Sequence, residues 1–134
     1  MMKAVIVGGG KVGYYLFKNF KKSDYDIVLI ERDMQLCKEI SNELDGEIIC
    51  GDGSDLEILK ECGINRAGVV AVVTGSDELN LIICQIAKKY FNTNKTICRI
   101  KNPDNAAIFK ALGVDETVCS TEIIYNLIKD SMFK

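Results

Sequence analysis

Residues 8–13 read Gly8-Gly9-Gly10-Lys11-Val12-Gly13, and an acid, Glu31, stands 18 residues beyond Gly13. Glycines at 8, 10 and 13 fit the G-x-G-x-x-G spacing of a phosphate-binding turn. A carboxylate about 20 residues further on is where such a site places its ribose acceptor. Glycine-rich turns match the spacing by chance, so context matters. Here the motif follows a β-branched run at 3–7, opens a helical pattern at 11–22, and Glu31 ends the second apolar run. Gly8 then makes the tight turn, Gly10 lets a pyrophosphate touch the backbone, and Gly13 lets the helix close on the sheet. Free N–H groups at the helix start meet the phosphate charge. Glu31 would accept the diol of an adenosine ribose and repel a 2′-phosphate, favouring NAD over NADP. Arg32 keeps NADP open, because an arginine there pairs with the extra phosphate. The plainer alternative is a turn that only joins strand to helix, with Glu31 a solvated acid.

These residues need a scaffold, and the remaining pattern supplies one. Short apolar runs predict strands at 3–7, 26–30, 47–50, 69–73, 96–100 and 116–119. Helical patterns fill 11–22, 34–44, 56–62, 77–91, 105–112 and 121–133. Asp33 and Ser76 suit helix N-caps, and Gly46, Gly63 and Gly113 follow helix ends. Strict alternation with right-handed crossovers predicts an α/β, Rossmann-like, doubly wound parallel sheet of six strands in the order 3-2-1-4-5-6, helices on both faces. The whole chain, 1–134, reads as one domain.

In such a sheet, ligands bind at the carboxyl ends of the strands. Asp52 in the Gly51-Asp52-Gly53-Ser54-Asp55 turn is placed to meet an adenine amino group, with Ser54 or Asp55 capping the next helix. Thr74-Gly75 faces the first glycine turn across the crevice, while Asp77 and Glu78 suit the helix dipole. Arg99 sits amid apolar residues of the fifth strand and needs a partner, either a ligand phosphate or an internal carboxylate.

Composition bounds the alternatives. The chain is 48% hydrophobic and 27% charged with net charge −2, which gives no electrostatic case for nucleic acid or an anionic membrane. No apolar run approaches a membrane span, and the early strand leaves no room for a signal peptide. Six cysteines without a CxxC pair, and no histidine, fit neither a zinc site nor a thioredoxin motif. Cys50, Cys84, Cys98 and Cys119 lie in apolar runs and are expected to be buried free thiols of a cytoplasmic protein.

GGGKVG, Glu31, GDGSD at 51–55, VVTGSDELN at 72–80, RIKNPDN at 99–105 and ALGVDETVCSTEI at 111–123 together resemble one family. It is the TrkA-N, KTN or RCK domain, the nucleotide-binding regulatory domain of potassium transporters and channels. The resemblance covers nearly the whole chain. It implies a non-enzymatic, cytoplasmic regulator that binds NAD or NADH, or ATP and ADP in related subfamilies. Such a domain forms a homodimer or higher ring against a membrane potassium transporter subunit, at the inner face of the membrane without entering it. Carried over, Gly8, Gly9, Gly10, Lys11 and Val12 hold phosphate, Glu31 the ribose, and Asp52 and Gly53 the adenine side, with Thr74, Gly75 and Arg99 completing the pocket. Full-length members often add a second small ligand-binding domain, so the chain is read as a short member or a fragment. Calcium-gated relatives place carboxylates where Arg99 and Lys101 stand, so no calcium site of that type is expected.

The last helix carries Ile123, Ile124, Leu127, Ile128 and Met132 on one stripe, with few later residues to cover it. Residues 120–134 are therefore expected to form a crossover or dimerisation helix. Two other functions stand beside the regulator. A dehydrogenase or its cofactor-binding fragment would need a substrate domain and an acid/base, and neither is evident in 134 residues without histidine. An interaction module with an empty pocket would have no use for Glu31 and the glycines.

Overall fold

The computed structural model describes residues 2–20 and 25–134. Six parallel strands, β1 (Lys3–Val7), β2 (Asp26–Glu31), β3 (Glu47–Cys50), β4 (Ala67–Val72), β5 (Lys95–Ile100) and β6 (Glu116–Cys119), form one sheet in the order β3-β2-β1-β4-β5-β6. This is the predicted Rossmann-like order, which places the topological switch between β1 and β4. Helices α1 (Lys11–Phe20), α2 (Met34–Glu43), α3 (Leu56–Glu61), α4 (Asp77–Gln85) and α5 (Asn105–Ala111) fill the connections, and α6 (Ser120–Met132) follows β6. The end of the predicted first helix, beyond Phe20, lies outside the described residues.

Alternation along each strand divides the core in two. Val5, Val7, Val28, Ile30, Val70 and Val72 point to one face and pack with Leu59, Ile83, Cys84 and Phe109 of α3, α4 and α5. Ile6, Ile27, Leu29 and Val73 point to the other, against Phe17 of α1 and Ile40 of α2. Phe17, Val28, Leu29 and Ile30 have no accessible surface. Burial of that kind contributes about 1.5–3 kcal/mol per large side chain.

Capping follows the sequence. Asp33 accepts the N–H groups of Gln35 and Leu36, Ser76 accepts that of Leu79, and Asp55, not Ser54, caps α3 through Glu57 N–H. Gly46, Gly63 and Gly113 all have positive φ. The predicted helix 77–91 is not uniform: it widens to a π-turn over Ile86–Tyr90, where the Thr93 N–H reaches back to the Ala87 carbonyl. Below it, Asp115 accepts the Thr96 N–H and hydroxyl and the Lys88 ammonium, which pins the π-turn to the start of β5.

The cysteine expectation needs one correction. Cys84, Cys98 and Cys119 are buried, as are Cys37 and Cys62, but Cys50 is exposed. It is the last residue of edge strand β3, and its side chain stays open to solvent.

Burial opposes ionisation of Asp115, but the Lys88 ammonium and the Thr96 donors outweigh it and hold the carboxyl below the usual carboxylate range. A depressed folded-state pKa contributes stability that is complete above the unfolded value of about 4 and is lost as pH falls through the folded value. Urea unfolding from pH 7 to pH 2 should therefore show an acid-side loss of stability that is smaller in Asp115→Asn; identical acid limbs would contradict this.

Candidate functional site

The carboxyl ends of β1 to β5 converge on a cavity of about 370 Å³. Its wall includes Gly8, Gly10, Glu31, Arg32, Asp52, Gly53, Thr74, Gly75 and Arg99. Nine of the thirteen site residues expected from sequence thus share one space. Gly9, Lys11, Val12 and Gly13 are not on that wall. Gly9 lies behind it and donates its N–H to Glu31, while Lys11 and Val12 line a separate groove along α1.

The turn after β1 is forced by two glycines. Gly8 has φ +112° and donates its N–H to the Ile30 carbonyl, a geometry that a side chain would strain. Gly13 sits on the first turn of α1, and a Cβ there would come within 1.6 Å of the Gly8 carbonyl oxygen. The helix can start this close to the strand only with glycine at 13. By contrast, a Cβ on Gly10 would meet nothing within 4 Å, so this position opens onto free space. The Gly10 carbonyl accepts the Tyr14 N–H, so the amides that open α1 have no acceptor inside the helix.

Glu31 is held by backbone. One carboxylate oxygen accepts the Gly9 N–H at 2.7 Å, and the other accepts the Asp33 N–H at 2.6 Å. A carboxylate has about four acceptor positions, so the diol of a ribose adds to these bonds without displacing them. Asp52 forms a local turn, accepting the Ser54 N–H and hydroxyl at 2.9 and 2.8 Å. Those two bonds, helped by the charge of Arg32, hold its carboxyl below the ordinary range.

The sequence reading assigned Asn80 no role, and the structure gives it a central one. It has no accessible surface. Its oxygen accepts the Thr74 N–H and hydroxyl, and its amide donates to the Thr74 carbonyl at 3.1 Å and the Arg99 carbonyl at 2.8 Å. One side chain thus ties the end of β4 to the end of β5. The usable signal was an asparagine on what should be the apolar face of a helix. Asp77, read as a helix-start acid, also accepts the backbone N–H groups of Lys101 and Asn102 and the Asn105 amide.

Arg99 makes no ion pair among the described residues, and its buried Nε has no hydrogen-bond partner. The internal-carboxylate alternative is therefore not realised. A buried guanidinium donor without an acceptor, opposite unpaired helix N-terminal amides and an open Gly10, fits an anionic ligand such as a pyrophosphate. Among the described residues no group of three or more metal-ligating side chains occurs.

The sequence profile of the TrkA-N domain matches residues 4–120. The chain belongs to the TrkA-N family. It is 39% identical over 117 residues to the Trk system potassium uptake protein TrkA homolog of Methanothermobacter thermautotrophicus, covering 87% of this chain and 54% of that one. It is 31% identical to the Trk system potassium uptake protein TrkA of Vibrio alginolyticus, covering 96% and 29%. The chain thus spans about half or less of these relatives. In structure, the TrkA-N domain of inner membrane protein ybaL from Escherichia coli superposes with a TM-score of 0.86 at 20% identity, covering 96% of this chain and 94% of that one. GsuK bound to NAD and GsuK bound to ADP each superpose with a TM-score of 0.82 at 21% identity; they cover 97% and 96% of this chain and 23% and 33% of theirs.

Replacing Asn80 with Ala would leave the Thr74 N–H, Thr74 carbonyl and Arg99 carbonyl without their partner, and each such loss costs about 1–3 kcal/mol. Urea unfolding should show Asn80→Ala destabilised by at least about 2 kcal/mol. Wild-type stability would mean the tie is dispensable.

Proposed function

We propose that this TrkA-N domain is a nucleotide-dependent regulator of a membrane potassium transporter, with NAD or NADH as its ligand and no catalytic step of its own. The observation that carries this is the placing of Glu31 and the unpaired Arg99 on opposite sides of the open Gly10 turn. That order across the sheet suits one ligand with a ribose diol at one end and phosphate charge at the other. The amides of Gly10, Lys11 and Val12 would take phosphate oxygens, with Thr74, Gly75 and Arg99 closing over them. Glu31 would accept the diol, and Asp52 and Gly53 would border the adenine. Bound NAD would bring a nicotinamide, and the residues named here would bind and orient the cofactor. ADP and ATP carry the same diol and phosphates, and the GsuK structure with ADP supports keeping them as the second reading.

Regulation needs a second body to move, and the exposed apolar surface supplies its contact. The sheet face over β4–β6 is bare on the α1 side. Val69, Ala71, Ile97 and Val118 line a groove of about 740 Å³ with Val12, Leu16 and Ile123. No residue of α6 is buried, and Leu127 and Met132 are 63% and 69% exposed. The accessible area of 7969 Å² exceeds the roughly 7,000 Å² typical of a folded monomer of this mass. A second copy would cover the groove and the α6 stripe together, making residues 120–134 a crossover helix. A nucleotide shifts such a dimer only by its different affinity for two arrangements.

Calorimetric titration of chain stripped of copurified nucleotide by unfolding and refolding should give micromolar or tighter binding of NAD or NADH, weaker binding of NADP, and loss of binding in Glu31→Ala. Absence of binding to NAD, NADH, NADP, ATP and ADP alike would overturn the reading. Replacing Ile124 and Ile128 together with Glu should turn a dimer into a monomer on a sizing column, and an unchanged elution volume would remove α6 from the interface.

A further inference from the structure

Two of the six cysteines meet beside the cavity. In the parallel β2–β3 pair, Glu31 stands opposite Cys50. The Glu31 carbonyl accepts the Gly51 N–H at 2.9 Å and the Cys37 thiol at 3.2 Å. The Cys50 sulfur lies 3.9 Å from the next carbonyl, that of Arg32. The two sulfurs therefore approach consecutive carbonyls of one turn, Cys37 from α2 and Cys50 from the end of β3. The Cys50 thiol is near enough to Cys37 to help raise the pKa of the Cys37 thiol.

We propose that Cys37 and Cys50 are a disulfide-forming pair at the rim of the nucleotide cavity, closed by peroxide and opened by thiols, and that closure weakens nucleotide binding. The effect on binding rests on the nucleotide reading above; the crosslink itself does not.

The two partners differ in access, and this assigns their order. Cys50 is exposed and meets the oxidant first, whereas Cys37 is 7% exposed. The Cys50 sulfur attacks one peroxide oxygen, the O–O bond breaks, and water leaves with a sulfenic acid on Cys50. The Cys37 sulfur then attacks the Cys50 sulfur, the S–O bond breaks, and the hydroxide departs as water with the Cys37 proton. One peroxide is reduced to two waters, and two thiols are oxidised to one disulfide. Burial and the adjoining Cys50 push the Cys37 thiol up to about 12, so Cys37 is a poor first nucleophile toward peroxide. Cys84 and Cys98 are also neighbours but have no accessible surface, so they form an internal control that peroxide does not reach.

Closing the bond takes the Cys37 sulfur off the Glu31 carbonyl and moves the first turn of α2. Asp33 begins that turn, and its N–H holds one Glu31 oxygen at 2.6 Å. The crosslink therefore acts on the carboxylate that borders the cavity.

The test uses the whole chain treated with excess hydrogen peroxide, alkylated, digested with trypsin and analysed by mass spectrometry without reduction. Cleavage after Arg32, Lys38 and Lys60 puts Cys37 and Cys50 on separate peptides, 33–38 and 39–60. The expected product is these two peptides joined, two hydrogens lighter than their sum, reversed by dithiothreitol and absent in Cys37→Ser and in Cys50→Ser. Sulfinic acid on Cys50 as the end product, or Cys50 joined only to Cys50 of a second chain, would overturn the pair. NAD titration of oxidised against reduced chain should show affinity lower by roughly tenfold, restored by dithiothreitol, with Cys50→Ser insensitive to peroxide. Equal affinities would overturn the coupling and leave the disulfide standing. A reduced chain that binds no NAD would sink the nucleotide reading and the coupling with it, while the peptide result still decides the crosslink.

Discussion

The Glu31 carboxylate spans two turns, accepting the Gly9 amide after β1 through one oxygen and the Asp33 amide after β2 through the other. Charge-assisted bonds of this length are among the stronger hydrogen bonds a protein makes. They set the glycine turn over the end of β2 before any ligand arrives. The close start of α1 depends on the same placement, since Gly13 touches the Gly8 carbonyl. Across the crevice Asn80 does the equivalent work for β4 and β5 with a neutral side chain. The site is thus organised by polar side chains that bond to backbone, leaving the Gly10 turn and Arg99 open toward the cavity.

Arg99 has a second position in this scheme. It borders the cavity proposed for the nucleotide and also the bare groove on the sheet face, as does Val73. In the proposed regulator a phosphate that pulls on the guanidinium pulls on a side chain that the subunit contact would also touch. Linkage requires only that the ligand favour one placement of that side chain over another. The groove is lined by Ile123 and Ile124 of the α6 stripe, so in the proposed dimer one added body would cover both.

Most of the fold was legible because strand and helix periods are local. The β-branched runs, the helix caps at Asp33 and Ser76 and the strict alternation leave few topologies for a parallel sheet. The glycine spacing and Glu31 were legible for the same reason, since their geometry is set within one βαβ unit. What escaped depends on contacts between distant segments. Asn80 acquires its role only when β5 brings the Arg99 carbonyl beside it, 19 residues away. Cys50 read as buried because its neighbours are apolar, yet an edge strand leaves its last side chain uncovered. The π-turn at Ile86–Tyr90 has no signature in the helical period.

The central claim is that Glu31 and Arg99 hold the two ends of one nucleotide. A crystal structure of the chain grown with NAD tests it most directly. The account predicts the adenosine ribose diol on Glu31, with the Gly9 and Asp33 amides still bound to that carboxylate. It also predicts pyrophosphate oxygens on the amides that open α1, with the Arg99 guanidinium on the same phosphates. A nucleotide seated in the sheet-face groove, or one whose phosphates leave Arg99 unpaired, would contradict it.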